Sequence, residues 1–183
     1  MEPRADQTVE IKARCHDPVR IREVLESLGA SFKALENQTD TFFHTRSGRL
    51  KLREGELENL LIGYLRPDTG GPKHCLVNLY EVRDAMSLGK VLESTLGTRV
   101  VVKKTREIFI LGNAKFHIDR VERLGDFVEI EVLGRVGTDS VEHLRSSCED
   151  YMAKLGIEPQ DLVPEAYADL IERSLPPGGG SSP

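Results

Sequence analysis

Lys115 to Leu133, KFHIDRVERLGDFVEIEVL, alternates with period two on both sides of a Gly125-Asp126 turn. That pattern reads as an antiparallel hairpin with two chemically distinct faces. Phe116 and Ile118 point one way, and His117, Asp119 and Val121 the other. On the second strand Val128, Ile130 and Val132 share a face, and Phe127, Glu129 and Glu131 take the opposite one. A three-residue loop Arg123-Leu124-Gly125, with Gly125 supplying a positive φ, gives a register that sets Asp119 opposite Glu129, His117 opposite Glu131, and Ile118 opposite Ile130. Two facing carboxylates about 5 Å apart repel by roughly 3 kcal/mol at an effective dielectric near 20. A chain tolerates this where the face is solvated, where basic residues converge on it, or where a divalent cation binds.

The rest of the chain supplies more strands with a charged face. Thr8 to Arg14 alternates Val9, Ile11 and Ala13 with Thr8, Glu10, Lys12 and Arg14. Asp17-Pro18 caps a helix carrying Ile21, Val24, Leu25 and Leu28, which Gly29 ends. Ser31 to His44 reads as extended, with an interruption near Asn37. RLKLR at Arg49 to Arg53 sets Leu50 and Leu52 against three bases, and Leu57 to Arg66 is a further strand before the loop 67–72. A second strand–helix–strand–strand run follows: Lys73 to Val82, a helix through Leu88, Val91, Leu92 and Leu96, then Val100 to Ile110 with Lys103, Lys104 and Arg106, then the hairpin. Val141, Leu144, Cys148, Tyr151, Met152 and Leu155 mark a third amphipathic helix, and Glu165 to Arg173 a short last one. Residues 1–173 read as one domain, and 174–183, SLPPGGGSSP, as a disordered tail.

Composition narrows the functional classes. A chain of 183 residues with 39% apolar and 30% charged residues is ordinary for a globular domain. Its formal charge of −5 argues against a nucleic-acid binder working by bulk electrostatics. Three well-separated cysteines, Cys15, Cys75 and Cys148, show no metal-site spacing and suggest reduced thiols, and no run approaches a membrane span. The expected location is the cytosol, with the nucleus left open and no membrane partner.

About eight strands with few helices suggest an antiparallel barrel or a strongly curved sheet, mainly β, with helices packed outside. In a closed eight-stranded barrel the charged faces would line a lumen able to hold one small ligand. An open sheet with one wet face gives the same alternation. Acids Glu10, Asp119, Glu129 and Glu131 then stand beside bases Lys12, Arg49, Lys51, Arg53, Arg66, Lys104 and Arg106. Bases on some strands and acids on others suit a metal-bound polyphosphate, although each base singly is more often a solvated surface charge.

TVEIKA, QTDTFF at Gln38 to Phe43, RLKLRE, KKTR at Lys103 to Arg106, and HIDRVERLGDFVEIEV resemble the CYTH superfamily, the triphosphate tunnel metalloenzymes. The length and LGDFVEIE resemble the class IV adenylyl cyclase branch, related to thiamine triphosphatases. The resemblance implies an eight-stranded antiparallel closed tunnel that binds ATP, thiamine triphosphate or inorganic triphosphate with Mg²⁺ or Mn²⁺. It places Glu10, Asp119, Glu129 and Glu131 on metal-ligand positions. It places Lys12, Lys51, Arg53, Arg66, Lys104 and Arg106 on phosphate-binding positions, with Arg49 a weaker match. Thr8 stands where the signature Glu-x-Glu-x-Lys has its first carboxylate. The implied activities are an ATP cyclase releasing pyrophosphate, a triphosphate hydrolase, or a non-enzymatic polyphosphate-binding module. Whether the chain is a monomer or a homodimer does not follow from the sequence.

Overall fold

The computed structural model describes residues 7–65 and 71–174. Eight strands carry the architecture: β1 (Gln7–Arg14), β2 (Ser31–Phe43), β3 (Arg49–Gly55), β4 (Asn59–Leu65), β5 (Lys73–Glu81), β6 (Thr98–Leu111), β7 (Ala114–Val121) and β8 (Gly125–Gly134). They close into an antiparallel barrel in the order β1-β5-β4-β3-β2-β6-β7-β8. Closure decides between the barrel and the open sheet, because it gives the inward faces of all eight strands a common interior. The helices are α1 (Pro18–Ser27), α2 (Ala85–Leu96), α3 (Val141–Leu155) and α4 (Tyr167–Ser174). Among the described residues no helix is long and apolar enough to cross a membrane. Arg66 and the loop residues 67–70 lie outside the described residues, as do 175–183 of the expected tail.

The internal repeat read from the sequence is borne out as topology. Each half runs strand, helix, three strands. Exchanging β1 with β5, β2 with β6, β3 with β7 and β4 with β8 maps the strand ring onto itself.

The first helix begins where the sequence places its cap, and the next two are capped in the same way. Asp17 accepts the Arg20 amide at 3.0 Å, Asp84 that of Ser87 at 3.0 Å, and Ser140 that of His143 at 3.1 Å. Val9, Ile11, Ala13, Phe116, Ile118, Val128 and Ile130 face outward and bury against Ile21 and Leu25 of α1 and Leu144, Cys148 and Leu155 of α3. Leu52 and Phe43 do the same beneath α2. The fourth helix behaves differently. Its Tyr167, Ala168 and Ile171 pack on Phe42, Val100, Val102, Val121 and Phe127, which share the interior face with the charged residues. It therefore closes one end of the barrel with an apolar plug.

Three expectations need correction. The hairpin register is shifted by two: His117 faces Glu129, Lys115 faces Glu131, and Asp119 faces Phe127. The loop is Glu122-Arg123-Leu124, closed by the Leu124 amide donating to the Val121 carbonyl at 3.1 Å. Arg123 (φ 69°) and Gly125 (φ 88°) supply the left-handed residues, and Gly125 already pairs with Val121 in the ladder. A shift of two preserves parity, so every side chain keeps its expected face. Second, β2 runs unbroken through Asn37, whose amide binds Glu56 at 3.0 Å and whose carbonyl accepts from Thr105 at 3.0 Å. Its register shifts fall between Phe32 and Ala34 and between Phe42 and Phe43. Third, Ser174 closes α4 instead of opening the tail.

Candidate active site in the barrel lumen

Two chemically opposed walls face each other across the lumen. The basic wall comes from β2, β3 and β6. Asp40, only 2% exposed, accepts from Lys51 Nζ at 2.9 Å, Arg53 Nε at 2.7 Å and Nη2 at 3.0 Å, and Lys104 Nζ at 2.8 Å. One carboxylate thus holds three cations and leaves the cluster with a surplus of positive charge. Burial alone would raise the Asp40 pKa, but Arg53, Lys104 and Lys51 hold it well below the usual carboxylate range. The reverse balance acts on Lys104. Burial, together with Arg53, Arg106 and Lys51 and against the pull of Asp40, lowers its ammonium to about 7.

The acidic wall comes from β1, β7 and β8. Arg106 bridges the two walls. It donates to both oxygens of Asp119 at 2.6 Å each and to Glu129 Oε2 at 2.5 Å. The Tyr167 hydroxyl adds a bond to Asp119 Oδ2 at 2.9 Å, which ties the α4 plug to the wall. Burial would raise the Glu129 pKa, yet Arg106, His117 and Lys12 hold it well below normal. For Glu131 burial and Glu129 push upward, and His117 with Arg106 and Lys115 bring the pKa below normal. His117 Nδ1 lies 3.5 Å from Glu129 and 3.7 Å from Glu131. One ligand atom from each of His117, Glu129 and Glu131 falls within 4.8 Å of the others. Glu10 on β1 sits across the ladder from Glu131 on one side and Lys73 on the other.

Most residues named from the sequence do converge here. Lys51, Arg53, Lys104 and Arg106 form one basic patch, and Glu129 and Glu131 one acidic pair beside Glu10. Lys12 pairs with Glu129 at 3.6 Å and stands 3.8 Å over the Tyr167 ring, while donating to the Glu165 carbonyl at 3.1 Å. Asp119 is engaged by Arg106 and Tyr167. Arg49 lies at the plugged end, where it binds Asp169 of α4 at 3.1 Å. Arg66 lies outside the described residues. Sequence reasoning missed Asp40, Lys73 and Tyr167. Asp40 was within reach, since it shares the interior face with Gln38 and Phe42 in QTDTFF, next to the bases of RLKLR. Lys73, which donates to the Pro164 carbonyl, and Tyr167 gave no such signal, because nothing in the sequence announces that the last helix plugs one end of the barrel.

The CYTH domain family matches residues 6–167, nearly all of the described barrel. The chain belongs to the CYTH domain family. Among curated relatives, the adenylate cyclase CyaB of Aeromonas hydrophila is 29% identical over 181 residues, covering 91% of this chain and 90% of its own length. Among solved structures, the PH1012 protein of Pyrococcus horikoshii is 28% identical with a TM-score of 0.77, covering 89% of this chain and 98% of its own. An adenylyl cyclase candidate from Hippeastrum, described as having a dominant triphosphatase activity, shares the fold at 17% identity and a TM-score of 0.60, with coverage of 93% and 98%. The chain is thus similar over its length to a protein described as a cyclase, and shares its fold with one described as having a dominant triphosphatase activity.

Proposed function

We propose that the chain is a metal-dependent enzyme that binds a triphosphate in the barrel lumen, in the manner of a class IV adenylyl cyclase converting ATP to cyclic AMP and pyrophosphate. The observation that carries this reading is the pairing of the Asp40-held bases with the Glu129–Glu131 acids across one interior. A polyphosphate chain is the ligand that needs both walls at once.

The basic wall supplies binding. Lys51, Arg53 and Lys104 each keep donors beyond those given to Asp40, since an ammonium has three and a guanidinium five. These free donors would hold phosphate oxygens, and Arg106 would share its charge between substrate and Asp119. The acids supply the cation site. Glu129 and Glu131 offer hard oxygens, and the buried His117 Nδ1 makes no hydrogen bond, so the donor set fits a divalent ion such as Mg²⁺ or Mn²⁺. Bound there, the ion would supply charge neutralisation at phosphoryl oxygens. Phe42, Val102, Phe127 and Tyr167 exclude water at the closed end, which strengthens every charge interaction inside.

A hydrolase would use the same parts with water as nucleophile, and a non-enzymatic module would use them for binding alone. Whole-length similarity to a cyclase favours the first reading. Incubation with ATP, thiamine triphosphate and inorganic triphosphate, each with Mg²⁺ or Mn²⁺, tests all three. Cyclic AMP is the expected product, orthophosphate alone would replace the cyclase with a hydrolase, and binding without turnover would remove the enzyme. A cytosolic location accords with Cys15, Cys75 and Cys148, which are buried and form no disulfide among the described residues.

A further inference from the structure

We propose that His117 is a direct nitrogen ligand of the divalent cation, and that the site therefore prefers a first-row transition ion such as Co²⁺ or Mn²⁺ over Mg²⁺. This rests on the cation site proposed above and adds the class of ion that it selects. His117 is 5% exposed, and its Nδ1 is a buried polar atom with no hydrogen bond. A hydrogen bond from a ring N–H to a carboxylate runs at about 2.7–2.9 Å. Here Nδ1 stands 3.5 Å from Glu129 and 3.7 Å from Glu131, nearly equidistant and bonded to neither. Donors on adjacent vertices around an ion with ligand distances of about 2.1 Å lie roughly 3.0–3.4 Å apart. The three donor atoms lie within 4.8 Å of one another, so rotation of the two carboxylate side chains toward His117 would seat an ion among them.

The neighbouring charges favour the same assignment. Arg106 occupies both oxygens of Asp119 and one lone pair of Glu129 Oε2. Asp119, whose Oδ2 also takes the Tyr167 hydroxyl, serves to anchor the arginine. That leaves His117 on β7 as the residue that completes the ligand set with Glu129 and Glu131 on β8, directly across the ladder. Replacing one carboxylate by an imidazole lowers the negative charge offered to the ion. It also adds a borderline donor, which favours transition ions in the Irving–Williams order and does little for Mg²⁺.

The test is calorimetric titration of the metal-free full chain with Co²⁺ and separately with Mg²⁺, for wild type and His117→Ala. Losing a ligand should cost Co²⁺ at least about tenfold in affinity, the lower end of what perturbing the surroundings of a metal ligand costs, while Mg²⁺ changes by less than about threefold. An unchanged Co²⁺/Mg²⁺ ratio, or no divalent binding by wild type, would overturn the assignment. Should His117→Ala not fold, pulsed electron paramagnetic resonance of the Mn²⁺-loaded wild type gives the same answer. Modulation from ¹⁴N, lost on ¹⁵N-histidine labelling, supports a nitrogen ligand, and its absence refutes one. A chain that binds Co²⁺ through His117 but neither binds nor processes any triphosphate keeps this inference and loses the function proposed above. Turnover with an unchanged ratio does the reverse.

Discussion

Lys104 offers the most quantitative test of the basic wall. Its ammonium is lowered to about 7 by burial, reinforced by Arg53, Arg106 and Lys51 and opposed by Asp40. At pH 8 such a group carries a proton in only about one molecule in ten, against nearly all for a lysine in water at about 10.4. A triphosphate placed against Lys51, Arg53 and Lys104 would bring several negative oxygens to the same spot and restore the charged form. Binding should then draw in a proton at Lys104, rising from about 0.1 per chain at pH 6 to about 0.5 at pH 7 and 0.9 at pH 8. Each pH unit above 7 should weaken apparent affinity about tenfold through this group, or about 1.4 kcal/mol. Calorimetry of inorganic triphosphate binding, with chelator present, in buffers of different ionisation enthalpy reads the proton count. Because the ligand also titrates, the quantity that matters is wild type minus Lys104→Arg or Lys104→Met, neither of which titrates there. A difference near zero from pH 6 to 8 would show that Lys104 does not meet the phosphates. The free protein gives an independent check. The folded pKa lies below the unfolded one, so the unfolded chain binds more protons between about pH 7 and 10, and this group's contribution to stability should rise with pH across that window.

Arg53→Ala or Arg106→Ala should weaken triphosphate binding by about 1.5–3 kcal/mol, the range for charge-assisted hydrogen bonds, with nucleoside affinity unaffected; equal losses for both ligands would indicate misfolding. Glu129→Gln and Glu131→Gln should both weaken Mn²⁺ binding in calorimetry, but their melting temperatures should diverge. Glu129 holds Arg106 and Lys12, so its loss should be strongly destabilising, whereas Glu131, pushed upward by burial and Glu129 and brought only below normal by His117, Arg106 and Lys115, should cost less when neutralised. Thr8 Oγ1 is buried without a hydrogen-bond partner on the face shared with Glu10, so Thr8→Glu should add a carboxylate to the lumen and tighten a second Mn²⁺ in the presence of triphosphate. Titrations showing no second-site gain would mean that Thr8 does not stand in for a lost ligand.

What was legible in this sequence, and what was not, divides along parity and register. Period two assigns each residue to a face, and that assignment is insensitive to shifts of two. Glu10, Lys51, Arg53, Lys104, Arg106, Glu129 and Glu131 were therefore placed in one interior even though the hairpin register was wrong. Register depends on where the turn closes, and Arg123 taking a positive φ moved the loop one residue earlier than a glycine-centred reading put it. That single step moved Glu129 from facing Asp119 to facing His117. Partners across distant strands are harder still, because they depend on ring order. The hub at Asp40 joins β2 to both β3 and β6, and its bond to Lys104 spans 64 positions of sequence. An alternating pattern says that a carboxylate looks inward, but whether it meets a base or a second acid is settled only when the strands are ordered around the barrel. Asp119 illustrates the consequence. Its pattern is that of a cation ligand, yet β6 lies beside β7 and delivers Arg106 to both of its oxygens. The arginine fixed in this way is the group that carries positive charge from the basic wall to the acids. In the function proposed above, Asp119 would act on substrate through the base that it orients.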